Sequence, residues 1–302
     1  MNYRHAYHAG NFADVLKHLV LALVIEHLKT KPQPFRVVDT HAGIGLYDLA
    51  GVEAGKTGEW RDGIARLLAA ELSTPARAVL APYLDVVRQF MPHVGVEGEG
   101  AVLQYPGSPL LARTLMRADD ALILNELHPE DRAALASLFR RDKATKVLGL
   151  DGYTVLKATL PPKERRGLLL VDPPFEEPGE FDRLLAAIRE ALRRFAGGTQ
   201  VHWYPIKDID AVRRFHRVIR SEALAETLLV EIAVRANDAS VPGLAATGVL
   251  IVNPPYTLHA GLAAVLPELL GVLRQGDGAS HRLEWLVAEH EVAGRSGGHP
   301  KA

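Results

Sequence analysis

The chain has 302 residues, 48% of them hydrophobic, enough to bury the core of one large α/β domain or of a domain carrying an insertion. It contains no cysteine, which excludes disulfides, thiolate nucleophiles and cysteine zinc sites and fits a reducing compartment. Lys+Arg 35 against Asp+Glu 36 leave a formal charge of −1, so no global field attracts nucleic acid, and a polyanionic partner must be held by a local patch.

The first segment, MNYRHAYHAGNFADV, has none of the long apolar core of a signal peptide. No run of about eighteen uncharged apolar residues follows, so a soluble cytoplasmic protein with no membrane span is expected. The first helix starts behind Asn11, a good N-cap, and runs to Lys31-Pro32. Strands are expected at FRVVD (35–39), ALILNE (121–126), KVLGLD (146–151), GLLLVD (167–172), TQVHWYP (199–205), TLLVEIAV (227–234) and GVLIVN (248–253). Amphipathic stretches such as PEDRAALASLFRR and EFDRLLAAIREALRRF separate most of them, as in a parallel sheet covered on both faces. Too few residues lie between the last two strands for a crossover helix, so these form an antiparallel pair. A single domain over 1–302 is expected, with a helical insertion at 50–117 between strands one and two and a flexible tail at 292–302. Parallel strands closed by one reversed strand are the pattern of a Rossmann-like, seven-stranded methyltransferase that uses S-adenosylmethionine.

Ligands of such sheets bind beyond the carboxyl ends of the strands. Strand one ends in DTHAGIG, where Gly43 and Gly45 allow a tight turn close to a ligand. A dinucleotide fingerprint needs a third glycine at position 48, which is Asp. Strand two ends at Glu126, suited to two ribose hydroxyls, strand three at Asp151-Gly152 and strand four at Asp172. Asp172 opens the run DPPF. An exocyclic nucleobase amine is a poor nucleophile, and two fixed acceptors, here the Asp172 carboxylate and the Pro173 carbonyl, would aim its lone pair at a sulfonium methyl. Phe175 would offer a face for the base. A second tetrad, NPPY at 253–256, ends the reversed strand and should lie at the opposite edge of the sheet, which makes Asn253 structural. His5 and His8 lack a third ligand at a fitting spacing, so no metal is expected.

MNYRHAYHAGNFADVLKH, VVDTHAGIGLYDL, YPGSPLLAR, NELHPED and LLLVDPPFE, in this order, resemble the RlmJ family, bacterial enzymes that methylate N6 of one adenine in 23S ribosomal RNA. The resemblance spans roughly Tyr3 to Trp285. It implies that His18, His41 and Ser108 touch the cofactor, that Glu126 takes its ribose and that Asp151 and Gly152 lie near its adenine. It further implies that Asp172 is the catalytic acceptor and that Tyr3 contacts RNA. From the residues alone, His18 beside Leu16, Leu19 and Val20 reads as an interfacial histidine rather than a ligand, and Ser108 as turn chemistry. Phe175 stands where many such enzymes have Tyr, which keeps a stacking ring and loses a hydroxyl.

The aromatic and cationic YRHAYH segment, with Arg4, suits a stacking contact with an unpaired or flipped nucleotide, and phosphate contacts are expected from the stripe Arg213, Arg217 and Arg220, although such a stripe can equally be a solvated helix face. KERR (163–166) precedes strand four, at the edge away from the site. The reading is of a monomer acting on 23S ribosomal RNA. A DNA adenine or protein glutamine amide methyltransferase, or a catalytically silent RNA-binding module, are the alternatives.

Overall fold

The computed structural model describes residues 5–91, 103–238 and 240–296. Tyr3 and Arg4 lie outside them.

Ten strands and eleven α-helices follow one another along the described residues. In chain order they are α1 (Phe12–Lys29), β1 (Arg36–Asp39), β2 (Leu46–Asp48), α2 (Val52–Thr57), α3 (Arg66–Ala69), α4 (Thr74–Phe90), β3 (Gln104–Pro106), α5 (Ser108–Leu115) and β4 (Ala121–Asn125). There follow α6 (Pro129–Leu138), β5 (Thr145–Leu148), α7 (Thr154–Thr159), β6 (Gly167–Val171), α8 (Glu180–Arg194), β7 (Thr199–Pro205), α9 (Ile209–Glu222) and β8 (Thr227–Ala233). The chain closes with β9 (Ala246–Val252), α10 (Leu258–Leu273), β10 (Ser280–Val287) and α11 (Glu289–Ser296).

The main sheet has the order β10-β8-β9-β7-β6-β1-β4-β5. Parallel pairing links β5, β4, β1, β6 and β7. β9 inserts antiparallel between β7 and β8, as the short connection requires. The sheet has eight strands where seven are expected, because β10 pairs antiparallel with β8 and adds a second reversed strand. SHRLEWLV is exposed over its first half and lacks the continuous apolar run that marks the inner strands.

Asn11 caps α1 by accepting the N–H groups of Ala13 and Asp14 at 2.9 and 3.0 Å. The helix is buried nearly all round, with Leu16, Leu19 and Val20 fully inaccessible, each contributing about 2 kcal/mol of burial free energy. Such a helix belongs inside the fold rather than on its surface. With α4, α5 and α10 it builds the core on one face of the sheet, while α7, α8 and α9 supply the core on the other.

The excursion between β1 and β4 is closed at its neck by a two-stranded ribbon in which Tyr47 pairs with Tyr105. Beyond the ribbon α2 packs on the N-terminal turn, α3 on α10 and α4 on both α1 and α10, and α5 then leads into β4 as an ordinary crossover. At the other end α11 runs to Ser296, so helix replaces the first part of the tail expected at 292–302.

Candidate active site

β4 and β6 lie on opposite sides of β1, so the strand order switches there and opens a crevice at the carboxyl ends of β1, β4, β5 and β6. A cavity of about 450 Å³ fills it, within the usual size of small-molecule sites. His18, His41, Gly43, Ser108, Glu126, Asp151, Gly152, Asp172 and Pro173 all line it.

On the β1 side, Gly43 has φ 61°, and a Cβ there would come within 2.2 Å of the Tyr47 hydroxyl, so only glycine fits. Its N–H donates to Glu126 Oε2 at 2.8 Å, and the His128 N–H donates to Oε1 at 2.8 Å. These two bonds aim the carboxylate into the cavity, while burial pushes its pKa up. Asp151 Oδ1 takes the N–H groups of Tyr153 and Thr154 at 3.1 and 3.0 Å, which opens α7. Gly152 lies flat against His41, where a Cβ would meet Nε2 at 2.2 Å. Burial lowers the pKa of His41, and Thr40 Oγ1 fixes its Nδ1 at 2.8 Å.

His18 is buried with its Nδ1 2.6 Å from the Tyr105 hydroxyl. Burial takes its pKa down to about 3, so the ring is neutral at ordinary pH. Asp39, the last residue of β1, receives Ser108 Oγ at 2.7 Å and the His41 N–H at 3.2 Å. Burial raises its carboxyl to about 7, against the Ser108 bond and aided by the charge of Asp172.

The DPPF tip differs in two respects from the sequence expectation. First, Asp172 is ion-paired: Lys17 Nζ reaches its Oδ2 at 2.5 Å and Asp14 Oδ1 at 2.8 Å. All three side chains are largely withdrawn from solvent. Burial disfavours the ammonium, yet the two carboxylates raise the Lys17 pKa above its ordinary value. Asp14 in turn receives His5 Nε2 at 3.0 Å and the Gly10 N–H at 2.9 Å. Burial works against its charge, but His5 and Lys17 hold its carboxyl well below the usual range. Among the described residues Asp172 Oδ1 accepts no hydrogen bond, so the pair orients the carboxylate and leaves one oxygen for a ligand.

Second, Phe175 does not line the cavity, contrary to the expectation of a ring facing the base. Its backbone is left-handed, at φ 52°, an outlier for a bulky residue of the kind found at functional turns. The ring packs edge-on against Phe181 at 5.1 Å and Trp203 at 5.9 Å, on top of the second core.

Asn253 lies at the other end of the sheet, since the end of β9 pairs with the start of β7. Its side chain donates to the carbonyls of Ala196 and Gly198 at 2.8 and 3.0 Å, a structural role.

Sequence reasoning missed Lys17, Asp14, His5 and Asp39. Asp14 and Lys17, three apart inside an otherwise apolar buried helix, were the available signal for the first two. It also missed the opposite wall, where the Tyr153 hydroxyl donates to buried Glu180 and Arg183 clamps Glu180 at 2.7 Å and Glu177 at 3.1 Å.

The donor set suits S-adenosylmethionine. Carboxylates outnumber the two fixed cations of the lining, Lys17 and Arg183, which favours a cationic ligand and opposes a pyrophosphate. His128, whose N–H holds Glu126, also lines the cavity, with its Nδ1 buried 3.7 Å from Asp131 Oδ1. Glu126 and Asp151 would hold the ribose and adenine, with Gly43 and Gly152 as the close backbone walls.

A mostly parallel α/β sheet with its cavity at the switch point is the Rossmann-like architecture of S-adenosylmethionine-dependent methyltransferases. Residues 32–287 match the family model described as Ribosomal RNA large subunit methyltransferase D, RlmJ. Ribosomal RNA large subunit methyltransferase J of Haemophilus influenzae is 39% identical over 289 residues, covering 96% of this chain and 100% of the relative. The protein of the same name from Escherichia coli is 40% identical over the same share of both chains. A crystal structure of a Legionella pneumophila protein superposes with a TM-score of 0.79 at 32% identity, covering 92% of this chain and 98% of that one. The chain belongs to the RlmJ family.

Proposed function

We propose that the protein transfers the methyl group of S-adenosylmethionine to the exocyclic N6 amine of an adenine in 23S ribosomal RNA, acting as a cytoplasmic monomer without a metal. The observation that carries this reading is the free Oδ1 of Asp172 at the cavity wall, with Oδ2 held by Lys17. When bound, the cofactor supplies an electrophilic methyl on a sulfonium. Asp172 Oδ1 accepts one amine hydrogen and the Pro173 carbonyl the other, which turns the nitrogen lone pair out of the ring plane towards the cavity. As the S–CH3 bond gave way to the new N–C bond and left a neutral thioether, Asp172 Oδ1 would take the proton released by the amine. Lys17 keeps the carboxylate oriented throughout, since its ammonium is fixed on the other side by Asp14.

His18, His41, Ser108, Glu126, Asp151 and Gly152 would bind the cofactor, all of them on the cavity wall. Phe175 would cover the base only after its ring leaves Phe181 and Trp203. Tyr3 and Arg4 would contact the RNA. The test is mass spectrometry of ribosomal RNA nucleosides from cells lacking the chain, complemented with the unchanged protein or with Asp172→Ala. Loss of one N6-methyladenosine, restored only by the unchanged protein, is expected. An unaltered nucleoside profile, or full restoration by Asp172→Ala, would overturn the assignment.

A further inference from the structure

The proposed substrate is a polyanion, yet the cavity is acidic, so phosphates must be gripped outside it. The N-terminal turn at His5–Tyr7, through His5 and the Asp14–Lys17–Asp172 chain, leads from the catalytic aspartate to the surface. The helical excursion is fastened to that turn on one flank. Thr57 Oγ1 donates to the Tyr7 carbonyl, and the Ile64 N–H donates to the Gly10 carbonyl at 2.9 Å. Lys56 stands just before the first of these fastenings and Arg61 between the two, both exposed. Lys56 Nζ lies 5.7 Å from the centre of the Tyr7 ring, and the Arg61 guanidinium lies 4.8 Å from that of Trp60.

Lys207 follows the end of β7, the strand beside β6, and so stands on the same rim as Asp172. It lies near enough to His8 for its charge to oppose protonation of that ring. Its carbonyl is anchored by Asn237 Nδ2 at 3.1 Å. Among the described residues the side chains of Lys56, Arg61 and Lys207 make no ion pair. Of the neighbouring acids, Glu59 is held by His8 and Asn11, Asp62 by Arg66, Asp208 by the first N–H groups of α9 and Asp238 by Ser240, while Glu53 shares α2 with Lys56.

Resting on the RNA reading above, we infer that Lys56, Arg61 and Lys207 form a phosphate track across the N-terminal turn. The track holds the RNA backbone on both sides of the target nucleotide while its base enters the acidic cavity. Aromatic backing restricts Lys56 and Arg61 without neutralising them, which suits contact with successive phosphates. The cations of α9 are a weaker candidate, because Arg213 and Arg220 are paired with Asp210 and Glu284.

The test combines Lys56→Gln, Arg61→Gln and Lys207→Gln, with Lys163→Gln as a single-charge control at the opposite rim. Binding of transcribed 23S ribosomal RNA is measured across a salt series, alongside the KM for RNA, cofactor affinity and Tm. Removal of three phosphate contacts flattens the log–log salt slope by about three units and raises the KM for RNA roughly tenfold or more. Cofactor affinity and Tm should stay within error, and the control should not change the slope by more than its single charge. An unflattened slope in the triple variant, with the unchanged protein methylating the RNA, overturns the track alone. An unchanged protein that binds cofactor but neither binds nor methylates this RNA overturns the substrate reading and the track with it.

Discussion

Replacement of Lys17 by methionine keeps the length and apolar character of the side chain and removes the ammonium that joins Asp14 to Asp172. The aliphatic part of Lys17 already lies in a buried helix, so packing is largely conserved. What remains is a pair of sequestered carboxylates that lose contacts of 2.8 and 2.5 Å. Deleting one member of a buried ion pair costs about 3–5 kcal/mol, because the partner is left uncompensated. At about 2 °C per kcal/mol for a domain of this size, Tm should fall by about 6–10 °C. The Asp172 carboxylate also loses the contact that sets its rotamer, and a displacement of about 1 Å is enough to lower kcat about 100-fold. Thermal melts and a radiolabelled methyl-transfer assay measure the two effects separately. Adding Asp14→Asn to Lys17→Met should recover part of the Tm and none of the kcat, since it relieves the charge but not the orientation. A single variant that melts within 1 °C of the parent, about the error of such a melt, and turns over normally would refute the view that this triad holds the catalytic group.

Other perturbations follow from the same geometry. Asp172→Asn should retain cofactor binding by calorimetry and lose at least about 100-fold in kcat, whereas Asn253→Ala should leave kcat intact and cost about 1–3 kcal/mol through its two lost carbonyl partners. Gly152→Ala drives a methyl group into the His41 ring and should weaken cofactor binding about tenfold while lowering Tm by about 2–6 °C, effects read by calorimetry and melting. Burial holds His18 and His202 down to about 3 from 6.5, so the unfolded chain takes up protons that the folded one refuses. Their contribution is complete above pH 6.5 and declines as pH falls towards 3, at about 1.4 kcal/mol per pH unit for each ring. His202→Gln should remove one proton's worth of that slope in acid denaturation, and an unchanged slope would contradict the assignment of His202 as neutral.

The parts of the molecule that were legible in its sequence are those that local chemistry decides. Asn11 could be read as a cap because its side chain has only nearby N–H groups to satisfy. The reversed strand could be read because the chain between β8 and β9 is too short to cross over, and the strand-end residues Glu126, Asp151 and Asp172 because a parallel sheet brings its carboxyl ends together. What stayed hidden depended on partners far apart in the chain. Lys17 meets Asp172 only once α1 lies across β6, and the direction of the Phe175 ring depends on Phe181 and Trp203. β10 was obscured because an edge strand with one wet half carries a weak apolar pattern.

The bond between Lys17 and Asp172 joins residues 155 positions apart. During synthesis α1 leaves the ribosome long before β6 does, and until then Asp14 is the one member of the triad that can meet its ammonium. Closing so long a loop is an entropic cost that the assembly of the central strands must offset before the acceptor is oriented. A chain that stops short of β6 therefore has neither the acceptor nor the contact that orients it.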